Sequence, residues 1–209
     1  MTCETQDELS KIKDAEIKLV IWQRELSANL RAWLAQLQAS ELPDLRILAE
    51  PKELTKALHS EFDEDVLPDD GMRDLLVKDI EHLVSKFAAI TRNTLVDIRL
   101  ERISHDACWK FHFDAVESRL LTTYRGPATE WIQPQHSTKA LREQKNYSGP
   151  IETLQQNDVA IFKGSRAGSD MGIVHRSPPI ADTGCTRLLL CLNAPSSVSP
   201  EPWAQNRKE

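Results

Sequence analysis

The hydrophobic pattern of this chain changes its period near residue 93, and this change constrains the fold more than any other feature. Before it, apolar residues recur at intervals of three and four, the spacing of an amphipathic helix. After it, apolar and polar residues alternate in short runs, which is the period of a half-buried strand. One chain therefore supplies both a helical layer and a strand-rich layer, which predicts an α+β fold.

Three helices are predicted in the first 92 residues. The first extends from about Arg24 to Gln38 and follows a short strand, IKLVIW (17–22). The second extends from Lys52 to His59, after a Glu50-Pro51 start signal. The third extends from Gly71 to Thr91, and Asp69 and Asp70 are predicted to cap its start.

Six strand-like runs follow, and Gly and Pro residues punctuate the segments between them. They are TLVDIRLERI (94–103), SRLLTTYRG (118–126), TEWI (129–132), DVAIFKG (158–164), GIVHRS (172–177) and TRLLLCLN (186–193). No helix-length pattern separates these runs, which disfavours parallel βαβ units and predicts a closed, cupin-like jelly roll, or double-stranded β-helix. We expect a mainly helical segment at 1–92 packed on a jelly-roll metal-binding domain at 93–195, with a flexible tail at 196–209.

Charge and cysteine content exclude several classes of partner. The formal net charge is -6, from 26 basic and 32 acidic residues, and no basic tract suits nucleic-acid phosphates. No apolar run approaches the roughly 20 residues that span a bilayer. The polar N-terminus is unlike a signal peptide, and the four cysteines form no regular pattern, so we expect a cytoplasmic protein. Cys108, Cys185 and Cys191 are most simply small buried residues in strands.

A candidate metal site is formed by His112, Asp114 and His175. Residues i and i+2 of a strand point to the same face, so His112 and Asp114 can converge on one ion. A second histidine on a facing strand completes a set of two imidazoles and one carboxylate. This donor set leaves coordination positions open and is typical of non-heme iron oxygenases.

The spacing of these residues, followed by Arg187, resembles the HxD…H…R signature of the iron(II)/2-oxoglutarate-dependent dioxygenases, a jelly-roll superfamily. The resemblance covers about residues 94–193 and implies that His112, Asp114 and His175 bind iron. It also implies that Arg187 pairs with the far carboxylate of 2-oxoglutarate, for which a guanidinium is a rigid two-pronged match. The alternative for Arg187 is an ordinary ion pair on the outer face of the sheet.

A second resemblance extends over most of the chain. The phrases CWKFHFD, LLTTYRGPATEW and VAIFKG…GIVHRSPP resemble a bacterial family of uncharacterised proteins, as does the early pattern of Ile21, Trp22 and Arg24. That family implies no activity, so the functional expectation depends on the dioxygenase resemblance.

Other residues near the motif are weaker candidates. Tyr124 and Arg125 follow the HxD segment and are predicted to line the cofactor pocket, the alternative being a core aromatic residue beside a turn arginine. His105 is a candidate fourth ligand, although a solvent-facing loop position suits it better. The polar segment from Gln133 to Leu154, with one helical turn near 138–144, is a candidate lid.

The leading hypothesis is a mononuclear non-heme iron oxygenase that uses Fe(II), 2-oxoglutarate and O2, with no catalytic residue beyond the metal ligands. The alternative is a non-catalytic jelly-roll protein that binds or senses zinc or iron. An Arg187 that points into the barrel beside the metal favours the enzyme. The pattern specifies neither the substrate, small molecule or protein, nor the oligomeric state.

Overall fold

The strands of this protein form two sheets. The computed structural model describes residues 1–64, 67–68, 71–168 and 172–204. The strands are β1 (Thr2–Cys3), β2 (Leu19–Trp22), β3 (Leu45–Ala49), β4 (Val96–Ile103), β5 (Ser118–Arg125), β6 (Glu130–Trp131), β7 (Glu152–Thr153), β8 (Val159–Lys163), β9 (His175–Arg176) and β10 (Arg187–Asn193). The larger sheet has the order β1-β2-β8-β5-β10-β4-β3, and the smaller has the order β7-β6-β9.

In the described part of the chain, four α-helices accompany the sheets: α1 (Ala28–Gln36), α2 (Leu54–Glu64), α3 (Gly71–Thr91) and α4 (Ser137–Glu143). Short 3-10 segments lie at Gln6–Lys13, Ala39–Glu41, Pro51–Glu53, Pro134–His136 and Gln144–Asn146. The fold is thus a mixture of a large sheet and several helices, as the change in hydrophobic period predicts. Among the described residues, no helix has both the length and the apolar character needed to cross a membrane.

The large sheet is buried on both faces, which explains the nearly continuous apolar run of β10. Leu188, Leu190 and Leu192 belong to a core cluster that includes the apolar stripe of α3. Leu189 and Cys191 alternate with them and belong to a second cluster on the opposite face. Because successive side chains of a strand point to opposite faces, the sheet has a helix-covered face and a second face toward the smaller sheet.

Local signals shift several predicted boundaries. The helix predicted from Arg24 begins at Ala28, because the Ser27 side chain accepts a hydrogen bond from the Leu30 N–H and so caps the start. The second helix continues to Glu64. The third helix has the predicted bounds, while its expected caps, Asp69 and Asp70, lie outside the described residues. Strand β3 is an addition that the periodicity does not reveal.

The predicted boundary at residue 92 does not separate helices from sheet. Strands β2 and β3 come from the first 92 residues, and they pair with β8 and β4 in the larger sheet. Residues 196–204, predicted to belong to a flexible tail, lie against the same sheet. The Trp203 N–H donates to the Leu48 carbonyl at 2.6 Å, and the Ser199 hydroxyl donates to Asp97 at 2.6 Å.

Candidate metal centre

His112 and His175 are brought together by a two-residue antiparallel bridge between the HxD segment and β9. The His112 N–H donates to the His175 carbonyl at 3.0 Å, and the His175 N–H donates back at 2.8 Å. Residues opposite each other in such a pair point their side chains to one face. The imidazole rings accordingly lie with centroids 4.6 Å apart.

Both imidazoles present the same nitrogen to the centre. The Nδ1 atom of His112 lies 2.8 Å from the Lys110 carbonyl oxygen, and that of His175 lies 2.9 Å from the Ile173 carbonyl oxygen. A carbonyl only accepts hydrogen bonds, so each Nδ1 carries the proton and each Nε2 has a free lone pair. Burial lowers the pKa of His175, which favours the neutral, ligating form.

Asp114 completes the triad, and each of its two oxygens lies near a different histidine. Its Oδ2 atom lies 3.4 Å from His175 Nε2, and its Oδ1 atom lies 3.9 Å from His112 Nε2. One candidate ligand atom from each of the three residues lies within 4.8 Å of the others. His175 and Asp114 are buried, whereas His112 is partly exposed.

These residues fit a divalent metal ion. Asp114 Oδ2 is buried and has no hydrogen-bond partner, which is costly for a carboxylate oxygen unless a ligand compensates it. Two imidazoles and one carboxylate suit iron or zinc, and they occupy only three coordination positions. The structure thus brings together all three residues that the sequence nominates for the metal.

Arg119 is a site residue that sequence reasoning missed. Its Nη1 atom donates to Asp114 Oδ1 at 2.5 Å, while its Nε atom donates to the side-chain oxygen of Asn193 at 2.8 Å. The guanidinium therefore occupies Oδ1 and leaves Oδ2 facing His175. An available signal was its position in β5: Arg119 alternates with Leu120 and shares a face with Leu121, which lies on the second face of the large sheet.

Arg187 lies at the start of β10 and is fully buried. Its Nε atom donates to the Pro127 carbonyl at 2.7 Å, Nη1 donates to the Ser177 hydroxyl at 2.7 Å, and Nη2 lies 3.5 Å from the Thr129 hydroxyl. Burial lowers its pKa to about 10, so the group is charged at neutral pH. It forms no ion pair within the described part of the chain, so the structure does not favour the outer ion pair considered for it.

Tyr124 and Arg125 do not reach the triad, which corrects the prediction that they line the pocket. Tyr124 is fully buried in the helix-side core and donates to Asp79 at 2.6 Å. Alternation explains this, since Tyr124 shares its face with Leu120 rather than with Leu121. Arg125 lies at a bulge opposite Leu188, and its guanidinium donates to the Leu37 carbonyl at the end of α1.

A cavity of about 290 Å³ opens beside the triad. His112, His175 and Arg119 line it, together with Thr129 and Ser177, the two hydroxyl partners of Arg187. The other residues that line it are Asp44, Arg99, Glu101, Arg102, Ile103, His105, Ala107, Cys108, Leu121, Leu189 and Cys191. His105 thus lies at the cavity without joining the metal-ligand group that the described residues form.

Two of the cysteines differ from expectation. Cys191 is buried, as predicted, but Cys108 and Cys185 are exposed. Both lie in loops rather than in strands, because the residues around them turn between elements.

Comparison with solved structures shows what the fold resembles. The chain is similar to the dioxygenase for auxin oxidation 1 from Arabidopsis thaliana in its 2-oxoglutarate complex, with a TM-score of 0.52 and 11% identity over 94% of this chain and 90% of that one. AviO1 from Streptomyces viridochromogenes matches at a TM-score of 0.43 and 15% identity, covering 97% and 100% of the two chains. A Pseudomonas putida prolyl-4-hydroxylase matches at a TM-score of 0.41 and 11% identity, covering 90% of this chain and 95% of that one.

The first likeness supports the fold predicted from the dioxygenase resemblance, and at this identity it concerns the fold alone. No curated protein matches the sequence. The family model described as "Protein of unknown function (DUF1826)" matches residues 3–193, nearly the whole chain. That match agrees with the predicted resemblance to an uncharacterised family. The chain therefore belongs to the DUF1826 family.

Proposed function

We propose that this protein is a mononuclear non-heme iron oxygenase that uses 2-oxoglutarate and O2 to oxidise a substrate. One observation carries the proposal: the buried Asp114 Oδ2 has no hydrogen-bond partner and lies 3.4 Å from His175 Nε2, in a group of two imidazoles and one carboxylate whose candidate ligand atoms lie within 4.8 Å of one another. A metal ion held by these three atoms keeps open positions for other ligands. The fold, which is similar to that of a 2-oxoglutarate-binding dioxygenase, supports the same reading.

The residues of the chain have separate tasks in this proposal. Bound Fe(II) and 2-oxoglutarate would supply the activation of O2, which amino-acid side chains cannot provide. His112, Asp114 and His175 hold the metal, and Arg119 orients the carboxylate. Arg187 lies beside Ser177 and Thr129, where its charge and their hydroxyls can bind the far carboxylate of the keto acid.

A second candidate is a non-catalytic metal-binding or sensing protein. One feature favours it: all three guanidinium nitrogens of Arg187 already have hydrogen-bond partners within the protein. The same donor set also suits zinc. In this case Arg187 would have a structural task and would not bind a keto acid.

The test is a spectroscopic titration of the anaerobic protein. Fe(II) is added first, then 2-oxoglutarate, and the weak metal-to-ligand charge-transfer band in the visible spectrum is followed. We expect the band in the wild type, its loss in His112→Ala for lack of metal, and its loss in Arg187→Ala for lack of keto acid. Arg125→Ala is the matched control, because this arginine lies away from the cavity.

Each outcome separates the two candidates. A band that persists in Arg187→Ala contradicts the assignment of the keto-acid carboxylate to this arginine. If the wild type binds metal, His112→Ala does not, and the wild type shows no charge-transfer band with 2-oxoglutarate, the 2-oxoglutarate proposal is overturned and the metal-binding candidate remains. No metal bound to the wild type overturns both.

A further inference from the structure

We propose that Gln144 is a positioning residue that holds the HxD segment in place, an inference that rests on the proposed metal site. The HxD segment is not a full strand of either sheet, since among the described residues it forms a single β-bridge, between His112 and His175. A ligand on so short a strand needs a second support if its imidazole is to keep one orientation. Gln144 provides that support from the other edge.

The hydrogen bonds of neighbouring residues in a strand alternate between the two edges. His112 uses its N–H and carbonyl toward His175, so those of Phe111 point the opposite way. Both are bound by one side chain. The Phe111 N–H donates to Gln144 Oε1 at 2.9 Å, and Gln144 Nε2 donates to the Phe111 carbonyl at 3.0 Å. The side-chain amide thus occupies the place of a neighbouring strand.

The backbone of Gln144 is arranged to deliver this amide. Gln144 follows α4 with φ of 52°, a region that residues other than glycine seldom adopt because of contact with Cβ. Its Nε2 atom also donates to the Leu141 carbonyl at 2.8 Å, in the last turn of the helix. The same amide therefore caps α4 and holds Phe111.

Packing around Phe111 reinforces this arrangement. Its ring lies edge-on to Tyr147 with centroids 5.6 Å apart, and the Arg176 guanidinium lies 4.2 Å from its centroid. The ring belongs to a small cluster of Phe111, Ile132, Ala140, Tyr147 and Val174. Within the described chain, the residues that line the cavity do not come from 133–154. The segment 133–154, predicted to be a lid, therefore supports the HxD segment through the contact of Gln144 with Phe111.

The experiment compares metal binding by three variants at this position. Gln144→Ala removes the amide and keeps the unfavourable backbone angle, Gln144→Gly removes the amide and relieves the angle, and Gln144→Glu keeps an acceptor for the Phe111 N–H but loses both donated bonds. Zn(II) affinity is measured by competition with a chelator, and the Co(II) absorption spectrum reports ligand geometry. Unfolding midpoints of the apoproteins are measured in parallel.

We expect Zn(II) affinity to fall by about tenfold in both Gln144→Ala and Gln144→Gly, the lower end of the effect of supports around metal ligands. The Co(II) spectrum should change in both. Gln144→Gly should unfold at a higher midpoint than Gln144→Ala, so a loss of affinity common to both does not follow from stability. Gln144→Glu should bind metal with intermediate affinity. The control is Gln135→Ala, because the amide of Gln135 donates to the Gln133 side chain and not to the HxD segment.

Wild-type affinity and spectrum in Gln144→Gly, when His112→Ala has lost the metal, overturn the positioning proposal and leave the metal site intact. The positioning proposal is also overturned if the Zn(II) affinities of the three variants simply follow the order of their unfolding midpoints. Wild-type protein that binds no Zn(II) or Co(II), or binds them equally after His112→Ala, overturns the metal site and this inference together.

Discussion

At the scale of single residues, the site depends on which buried polar atoms have hydrogen-bond partners within the protein and which do not. Asp114 uses one oxygen for Arg119 and keeps the other without a hydrogen bond. Tyr124 has no such free group, because its hydroxyl is bound to Asp79, which in turn pairs with Arg24. The unpartnered oxygen of Asp114 is therefore available to a ligand, whereas the hydroxyl of Tyr124 is engaged within the core.

Tyr124→Phe tests this distinction. The substitution leaves Asp79 with one partner fewer in a largely buried network, so we expect the free energy of unfolding to fall by about 1–2 kcal/mol. Zn(II) affinity and the 2-oxoglutarate band should stay as in the wild type, because the hydroxyl lies on the helix side of the sheet. Urea unfolding and the metal titration measure the two effects. Unchanged stability with lost metal binding would contradict the assignment.

At the scale of elements, Asp97 joins three parts of the chain. It lies in β4 and is almost fully buried. Arg46 of β3 donates to both of its oxygens, at 3.0 and 2.7 Å, and Ser199 adds a third hydrogen bond from the C-terminal segment. Burial alone would raise the pKa of Asp97, but the hydrogen bonds from Arg46 and Ser199 outweigh it and lower the pKa below its ordinary value.

Asp97→Asn should therefore destabilise the protein in a pH-dependent way. Because the folded pKa is lowered, the stabilisation by the charged form is complete above the unfolded value of about 4 and is lost as the pH falls through the folded value. We expect the variant to be about 1–3 kcal/mol less stable at pH 7, from the lost charge-assisted bonds. The difference in the free energy of unfolding between the wild type and Asp97→Asn should become smaller below pH 4. Urea unfolding across pH measures it.

Asp182→Asn is the control, since Asp182 is exposed and lacks these bonds. It should show no comparable gap at either pH. A gap for Asp97→Asn that stays constant down to pH 2 would mean that the carboxylate charge does not contribute.

At the scale of the whole molecule, the site depends on the complete sheet. The candidate metal ligands lie within residues 112–175, but strands from the first 92 residues cover the edges of β8 and β4. Helix α3 covers the apolar face that β10 turns away from the cavity. Because the central strands are buried on both faces and at both edges, we expect them to need the N-terminal residues for stability.

Residues 93–195 expressed alone should therefore fail to form the metal site. Removal of 1–92 exposes the apolar helix-side face and two strand edges, so we expect an aggregating or non-cooperatively unfolding fragment with no Zn(II) affinity at the wild-type level. Circular dichroism during thermal unfolding and a metal titration provide the measurement. A fragment that unfolds cooperatively at the midpoint of the full chain would show that 93–195 is an independent domain.

The pairing of His112 with Asp114 could be predicted from the sequence because it is local, whereas the position of His175 beside them depends on a bridge between distant segments. The i, i+2 spacing of His112 and Asp114 specifies a shared face, and each histidine carries its chemistry in its type. Arg119 and Gln144 could not be recognised in this way. Their tasks depend on contacts with Asp114 and with the Phe111 backbone, 5 and 33 positions away, that exist only once the strands and α4 have packed.

The sequence by itself thus determined the mixture of helices and strands, the face shared by His112 and Asp114, and the bounds of α3, because periodicity and residue chemistry act over a few positions. Only the tertiary structure decided which strands are neighbours, because β2 and β3 reach the large sheet through pairings distant in sequence. It also decided that Tyr124 belongs to the helix-side core while Arg119 lies beside the candidate metal ligand Asp114. Both residues lie in β5, and the face of the sheet to which each points separates their tasks.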